Sequence, residues 1–353
     1  MGLTTETLMF PYRKGLLEVP AAASRLLFLN AEDPEIVKDL SSPMLIQPCF
    51  DKARRLIEAG YKVAQEPEGK FDTIWILPSK DMEETQYLLS LALRAAAQGA
   101  VVVAAAANDA GGKRLEALFE ELGLAPHAES KNKGRVVFAT VDGEYNRDQA
   151  KTWFSQGREQ PILNSLLVSR PGLYGWDKVD IGSALLARHL PPDLSGSVAD
   201  FGCGWGYLSL QALARSKNIL RLTLIDVDSR AVDIAARNVQ SQHPDLSVEA
   251  VWTDLTHPHV KLGPFDTILL NPPFHAGTHA DPAIGQSIIM TAAQSLKADG
   301  RLYLVANRHL PYEKTLTGLF KQIDVIADEG GFKAFVCKAP GTSSSNYPPS
   351  VDR

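Results

Sequence analysis

Asn271, Pro272, Pro273 and Phe274 stand in a row, with His275 directly after them. An Asn side-chain oxygen and the carbonyl of the following Pro can each accept one hydrogen of an NH2 group. The lone pair of that amine is then turned toward an electrophile. A Phe ring beside them stacks on the flat ring that carries the amine, worth about 1–3 kcal/mol per base. A flipped or single-stranded base is the natural occupant of such a pocket. His275 is either a proton route or a loop histidine bonded to backbone.

The second signature is Asp200-Phe201-Gly202-Cys203-Gly204-Trp205-Gly206. Residues 197–201 read as a buried strand and Tyr207–Arg215 as a helix, so the glycines occupy the turn between them. Glycines in such a turn let a ligand approach the backbone. Taken alone, the spacing also suits a dinucleotide. Asp200 argues against that, because its carboxylate would repel a pyrophosphate but suits the ammonium of a methionine. The expected cofactor is therefore S-adenosylmethionine. A further strand, residues 222–226, ends in Asp226, where a carboxylate reaches ribose hydroxyls. Asp254 follows a third strand, residues 247–252, and either accepts from the adenine amino group or holds a turn. Asp228 reads as the cap of a helix over residues 229–240.

These groups must be positioned by strands alternating with helices, and the chain contains that pattern twice. Phe71-Asp72-Thr73-Ile74 recurs as Phe265-Asp266-Thr267-Ile268. Each copy is followed by a helical stretch, a Gly and an apolar strand ending in Asn, at Asn108 and Asn307. Such alternation predicts an α/β fold with parallel sheets, and a repeat this long predicts duplication of a whole domain. The first copy has Leu77-Pro78-Ser79-Lys80 where the second has Asn271 to Phe274, and Asn30 continues into Ala31-Glu32-Asp33-Pro34 without counterparts of Gly202, Gly204 and Gly206. It reads as the same fold with its cofactor site lost. The expected division is residues 1–155, a linker over 156–175, a catalytic domain over 176–340, and a disordered tail over 341–353.

Composition narrows the class. No apolar run approaches the roughly 18–20 residues of a membrane span, and no secretory leader is visible, so a cytoplasmic enzyme is expected. Cys49, Cys203 and Cys337 are odd in number and far apart, which fits no disulfide framework. The His275/His279 and His257/His259 pairs are interrupted by Gly277 and Pro258, and no metal site is expected. A net charge of −5 excludes broad charge-driven grip on naked nucleic acid, though not a local basic face. Residues 1–155 hold 18 basic and 22 acidic side chains, so any such face is a cluster. Lys131, Lys133 and Arg135 are the best candidates; Arg54 and Arg55 suit the solvated side of a helix. A monomer is favoured.

With these residues in view, the chain resembles the ribosomal small-subunit methyltransferase C family of class I S-adenosylmethionine-dependent methyltransferases. The resemblance rests on Asp200 to Gly206, Leu224-Ile225-Asp226, Asn271 to His275, Val305-Ala306-Asn307, Leu310-Pro311-Tyr312, and the upstream block Trp176 to Ser183. It covers residues 165–340 well and the first half loosely. It implies two tandem Rossmann-like class I methyltransferase domains, the N-terminal one degenerate and serving RNA docking or support. It implies methylation of the exocyclic N2 of a guanine in 16S rRNA, with rRNA of the small ribosomal subunit as partner. Gly182 and Ser183 would then approach the methionine end of the cofactor, which Asp200, Gly202, Gly204, Gly206 and Asp226 would line. Asn271 to Phe274 would hold the base. Trp205 departs from the small residue common at its place. The alternatives are a large-subunit rRNA guanine-N2 enzyme or other amine methyltransferase, and a non-catalytic ribosome-assembly factor.

Overall fold

The computed structural model describes residues 2–163, 167–273, 275–276, 279–280 and 282–340. The chain divides into two compact units, Met1–Asp177 and Lys178–Arg353. Each contains a seven-stranded sheet. Numbered along the chain within each unit, the strands run 3-2-1-4-5-7-6 in both. The first five are parallel; the seventh pairs antiparallel with the fifth, and the sixth antiparallel with the seventh.

The central strands explain their own placement. Leu26–Leu29 is apolar throughout and wholly buried, as a parallel strand covered on both faces must be. Phe265–Leu270 is likewise apolar except for the buried Thr267 and for Asp266, whose carboxylate takes the Ser197 N–H and the Lys297 ammonium, each at 2.8 Å. Asn271 follows that strand and two prolines end it, because proline brings no N–H to the ladder.

Register aligns the two units residue by residue. Phe28 and Leu29 pair with Trp75 and Ile76; Asp200 and Phe201 pair with Leu269 and Leu270. The ladder slips at the same place in both, between Phe71 and Thr73 and between Phe265 and Thr267. By this alignment Phe28 stands for Asp200, Asn30 for Gly202, Gln47 for Asp226, and Leu77 for Asn271. The turn itself survives in the first unit, since Asn30 keeps a left-handed φ of 58°. The helix after it does not: a short 3-10 turn, Pro34–Val37, stands where the second unit has Tyr207–Arg215.

The helix Arg147–Gln156 and the segment expected to join the halves both pack on the first unit's helix Met82–Ala95. Phe154 stacks on Tyr87 with centroids 5.5 Å apart, and the Arg170 guanidinium lies 4.9 Å from the same ring. The tail expected over 341–353 lies outside the described residues.

Candidate active site

The glycine turn of the second unit is left-handed at all three glycines: φ is 76° at Gly202, 52° at Gly204 and 93° at Gly206. The Gly202 and Cys203 N–H groups donate to the Ile225 carbonyl at 2.8 and 3.0 Å, tying the turn to the neighbouring strand. A Cβ added at Gly202 or Gly204 would meet nothing within 4 Å, so both Cα atoms face open space. Gly206 faces the helix Ser229–Gln242 instead, where a Cβ would lie 3.4 Å from Ala235. Gly182 is similarly enclosed, with the Phe332 ring 3.1 Å from where its Cβ would stand.

Two acids flank the turn, Asp200 buried and Asp226 half-buried. One oxygen of Asp200 accepts from the Ser209 N–H at 3.1 Å and its hydroxyl at 2.6 Å. The other, Oδ1, is buried with no hydrogen-bond partner among the described residues. Burial pushes the Asp200 carboxyl up to about 6, against the two Ser209 bonds, and Asp226 adds to the rise. Asp226 accepts from the Gly204 N–H and the Asp228 N–H, each at 3.0 Å. Its carboxyl too is pushed to about 6, chiefly by burial. An orphaned carboxylate oxygen, a cradle that a side chain would fill, and an acid at the next strand end fit the cationic and hydroxyl groups of S-adenosylmethionine. Burial also drives the Cys203 thiol well above its ordinary range, which makes it a poor nucleophile.

At the outer edge, Asp254 takes the Thr256 N–H at 2.8 Å and its hydroxyl at 2.6 Å, so it holds a turn. Asp228 caps its helix by accepting from the Arg230 N–H at 2.9 Å. Trp205 is buried, with its ring edge toward Tyr207 and its carbonyl taking Asn238 Nδ2 at 2.9 Å. Sequence reasoning missed Val227 and Trp252. The indole N–H of Trp252 donates to the Val227 carbonyl at 2.9 Å, which sets an apolar edge directly after Asp226. An apolar residue directly after the acid at a strand end was the available signal.

At the end of the strand Phe265–Leu270, Asn271 Nδ2 donates to Asp180 Oδ1 and to Ser183 Oγ, both at 2.8 Å. Asp180 is the N-cap of the helix Ile181–His189, and the same Oδ1 accepts the Ser183 N–H at 2.8 Å. The Asn271 oxygen has no hydrogen-bond partner among the described residues. Pro272 is buried and Pro273 exposed. Phe274 and the His275 side chain lie outside the described residues.

The basic candidates separate. Arg135 is held by Glu116, and Arg54 and Arg55 pair with Glu58 and Asp51 along their own helix. Lys131 lies 5.6 Å from the Phe10 ring. Lys133 sits at the hairpin turn with φ 55° and no ion-pair partner among the described residues. The expected triple cluster is therefore two lysines, since Arg135 is engaged. Among the described residues no group of three or more His, Cys, Asp or Glu side chains is placed to hold a metal, and no helix is long and apolar enough to cross a membrane.

Residues 164–336 match the family described as the methyltransferase small domain. The chain is 31% identical over 269 residues to the ribosomal RNA small subunit methyltransferase C of Shigella flexneri serotype 5b, spanning 75% of this chain and 74% of that protein. It is 29% identical over 266 residues to the protein of the same name from Enterobacter sp. strain 638, covering 75% of each. In three dimensions it matches a T. thermophilus 16S rRNA N2 methyltransferase, solved with AdoMet and guanosine, at a TM-score of 0.77 and 21% identity. That match covers 95% of this chain and 91% of the other, so the duplicated architecture is common to both.

Proposed function

The chain belongs to the ribosomal RNA small subunit methyltransferase C family, and on that footing we propose that it methylates the exocyclic N2 amine of a guanine in 16S rRNA. The methyl donor is S-adenosylmethionine, which supplies an electrophilic methyl group on a positively charged sulfur. The substrate is rRNA presented by the small ribosomal subunit.

One observation carries the reading. Both hydrogens of the Asn271 amide are taken, by Asp180 Oδ1 and Ser183 Oγ at 2.8 Å each. Its oxygen is thereby left as an acceptor at the end of the strand Phe265–Leu270. The Pro272 carbonyl is the second acceptor, next to a residue with no N–H to draw it into a ladder. Guanine N2 is a weak nucleophile because its lone pair is delocalised into the ring. Two acceptors that grip its hydrogens favour a tetrahedral nitrogen and free that pair. Asn271 and Pro272 thus contribute position and electrostatics, and no strong base is required, because the amine becomes acidic once it is alkylated. Asp200 and Asp226 hold the donor, and Gly202 and Gly204 give it room against the backbone.

The test is methyl transfer to small ribosomal subunits, read by mass spectrometry of the 16S rRNA nucleosides. N2-methylguanosine is the expected product. Asn271→Ala should lower the rate by about 10²–10³ while S-adenosylmethionine binding stays near normal. A methylated adenine or protein glutamine as the product, or full activity in the variant, would overturn the reading.

A further inference from the structure

The Asn271 amide has a fixed sense, and that sense is set from the neighbouring helix. A carboxylate offers only acceptors, so the group of Asn271 facing Asp180 must be its NH2. Asp180 Oδ1 accepts from the Ser183 N–H, as an ordinary N-cap does, and also from Asn271 Nδ2; both distances are 2.8 Å. Ser183 Oγ takes the second amide hydrogen, also at 2.8 Å. With both hydrogens occupied, rotation of the amide by half a turn would bring its oxygen against the Asp180 carboxylate. Two acceptors would then face each other, and two donors would be presented to the target amine.

We infer that Asp180, together with Ser183, is a positioning residue for methyl transfer: the cap of the helix Ile181–His189 locks Asn271 so that an acceptor, and never a donor, meets the substrate. The site thereby selects amines and rejects a base edge that offers a carbonyl at that point. This rests on the role proposed for Asn271.

The first unit supplies an independent comparison. Its helix Leu3–Leu8 lies against the strand Ala96–Ala107 as Ile181–His189 lies against Leu296–Asn307. There the N-cap is Gly2, with no side-chain cap bond, and Leu77 holds the place of Asn271. The acid and the amide are absent together from the unit that lacks the chemistry. A purely structural cap has no reason to disappear with its distant amide partner.

The experiment is a double-mutant cycle on the full chain, measuring kcat with small subunits alongside S-adenosylmethionine affinity by calorimetry. Asp180→Ala should lower kcat by about 10², comparable to the loss of one preorganised transition-state hydrogen bond. Asp180→Asn, which keeps an acceptor oxygen and remains a good cap, should recover most of that loss. In an Asn271→Ala background, Asp180→Ala should cost nothing more. If Asp180→Ala fails to fold, Ser183→Ala leaves the Asp180 cap in place and should show the same lack of additivity with Asn271→Ala. Losses that multiply, or wild-type kcat in Asp180→Ala, would overturn the positioning role. Full activity in Asn271→Ala would instead overturn the reading beneath it, so the two failures are distinguishable.

Discussion

Replacing Asp200 with Asn should leave a protein whose stability, relative to the parent chain, improves as pH rises. Burial is the main reason the Asp200 carboxyl sits at about 6 rather than 3.8. The folded protein therefore holds this proton more tightly than the unfolded chain does. Its favourable contribution is complete below about pH 4 and is lost as pH climbs through about 6. A rise from 3.8 to about 6 corresponds to an opposing term of about 3 kcal/mol above the window. Asp226, also near 6, is present in both proteins and cancels to first order. Urea unfolding without cofactor should show the difference between parent and variant moving by about 2 kcal/mol in the variant's favour between about pH 4.5 and 7.5. The cofactor reports the same proton from the other side. On the proposed contact between its ammonium and the ionised carboxylate, affinity in the parent should weaken up to about tenfold for each pH unit below about 6. A stability difference that does not change with pH would refute the claim that Asp200 titrates in this window.

Two glycine changes should separate by what they damage. Gly204→Ala places a methyl group in open space at φ 52°, so it should weaken S-adenosylmethionine binding at least tenfold in calorimetry, with a backbone cost of about 1–2 kcal/mol. Gly206→Ala meets Ala235 at 3.4 Å and should lower the melting temperature more than it lowers affinity; the reverse ranking would reassign the two glycines. Calorimetry should also give one cofactor per chain, because Phe28, Gln47 and Leu77 stand where Asp200, Asp226 and Asn271 would be needed; a stoichiometry of two would restore a site to the first unit.

Much of the architecture was legible because duplication printed it twice. The shared Phe-Asp-Thr-Ile runs became the fourth strand of each sheet, and the helix Tyr207–Arg215 has the bounds its apolar spacing predicts. The helix expected over residues 229–240 continues to Gln242, because Ser241 and Gln242 bring nothing that stops it. The bond from Asp180 to Asn271 was not legible. It spans 91 residues, and no local pattern around Asp180 points to a partner that far along the chain. Nor was the persistence of the first turn, since the absence of glycines after Asn30 speaks only to room for a ligand and not to the backbone conformation. Asn30 shows otherwise, a short polar side chain being the next best occupant of that region. The expected Lys131–Lys133–Arg135 patch failed at Arg135 because Glu116 comes from a separate helix, a pairing that local charge patterning cannot reveal.

A half that binds a ligand is an unfinished core, completed by a molecule from outside. The first unit has completed itself. Where Asp200 would keep a buried charge, Phe28 meets the edge of Trp75 at 5.7 Å, and the Trp75 indole N–H reaches the Tyr12 hydroxyl at 2.7 Å. Its stability is therefore indifferent to how much methyl donor the surroundings contain. The second unit's is not, since anything that binds only the folded state adds to its stability with concentration. The supply of S-adenosylmethionine is thus written onto one half of the molecule and leaves the other as a fixed reference within the same chain.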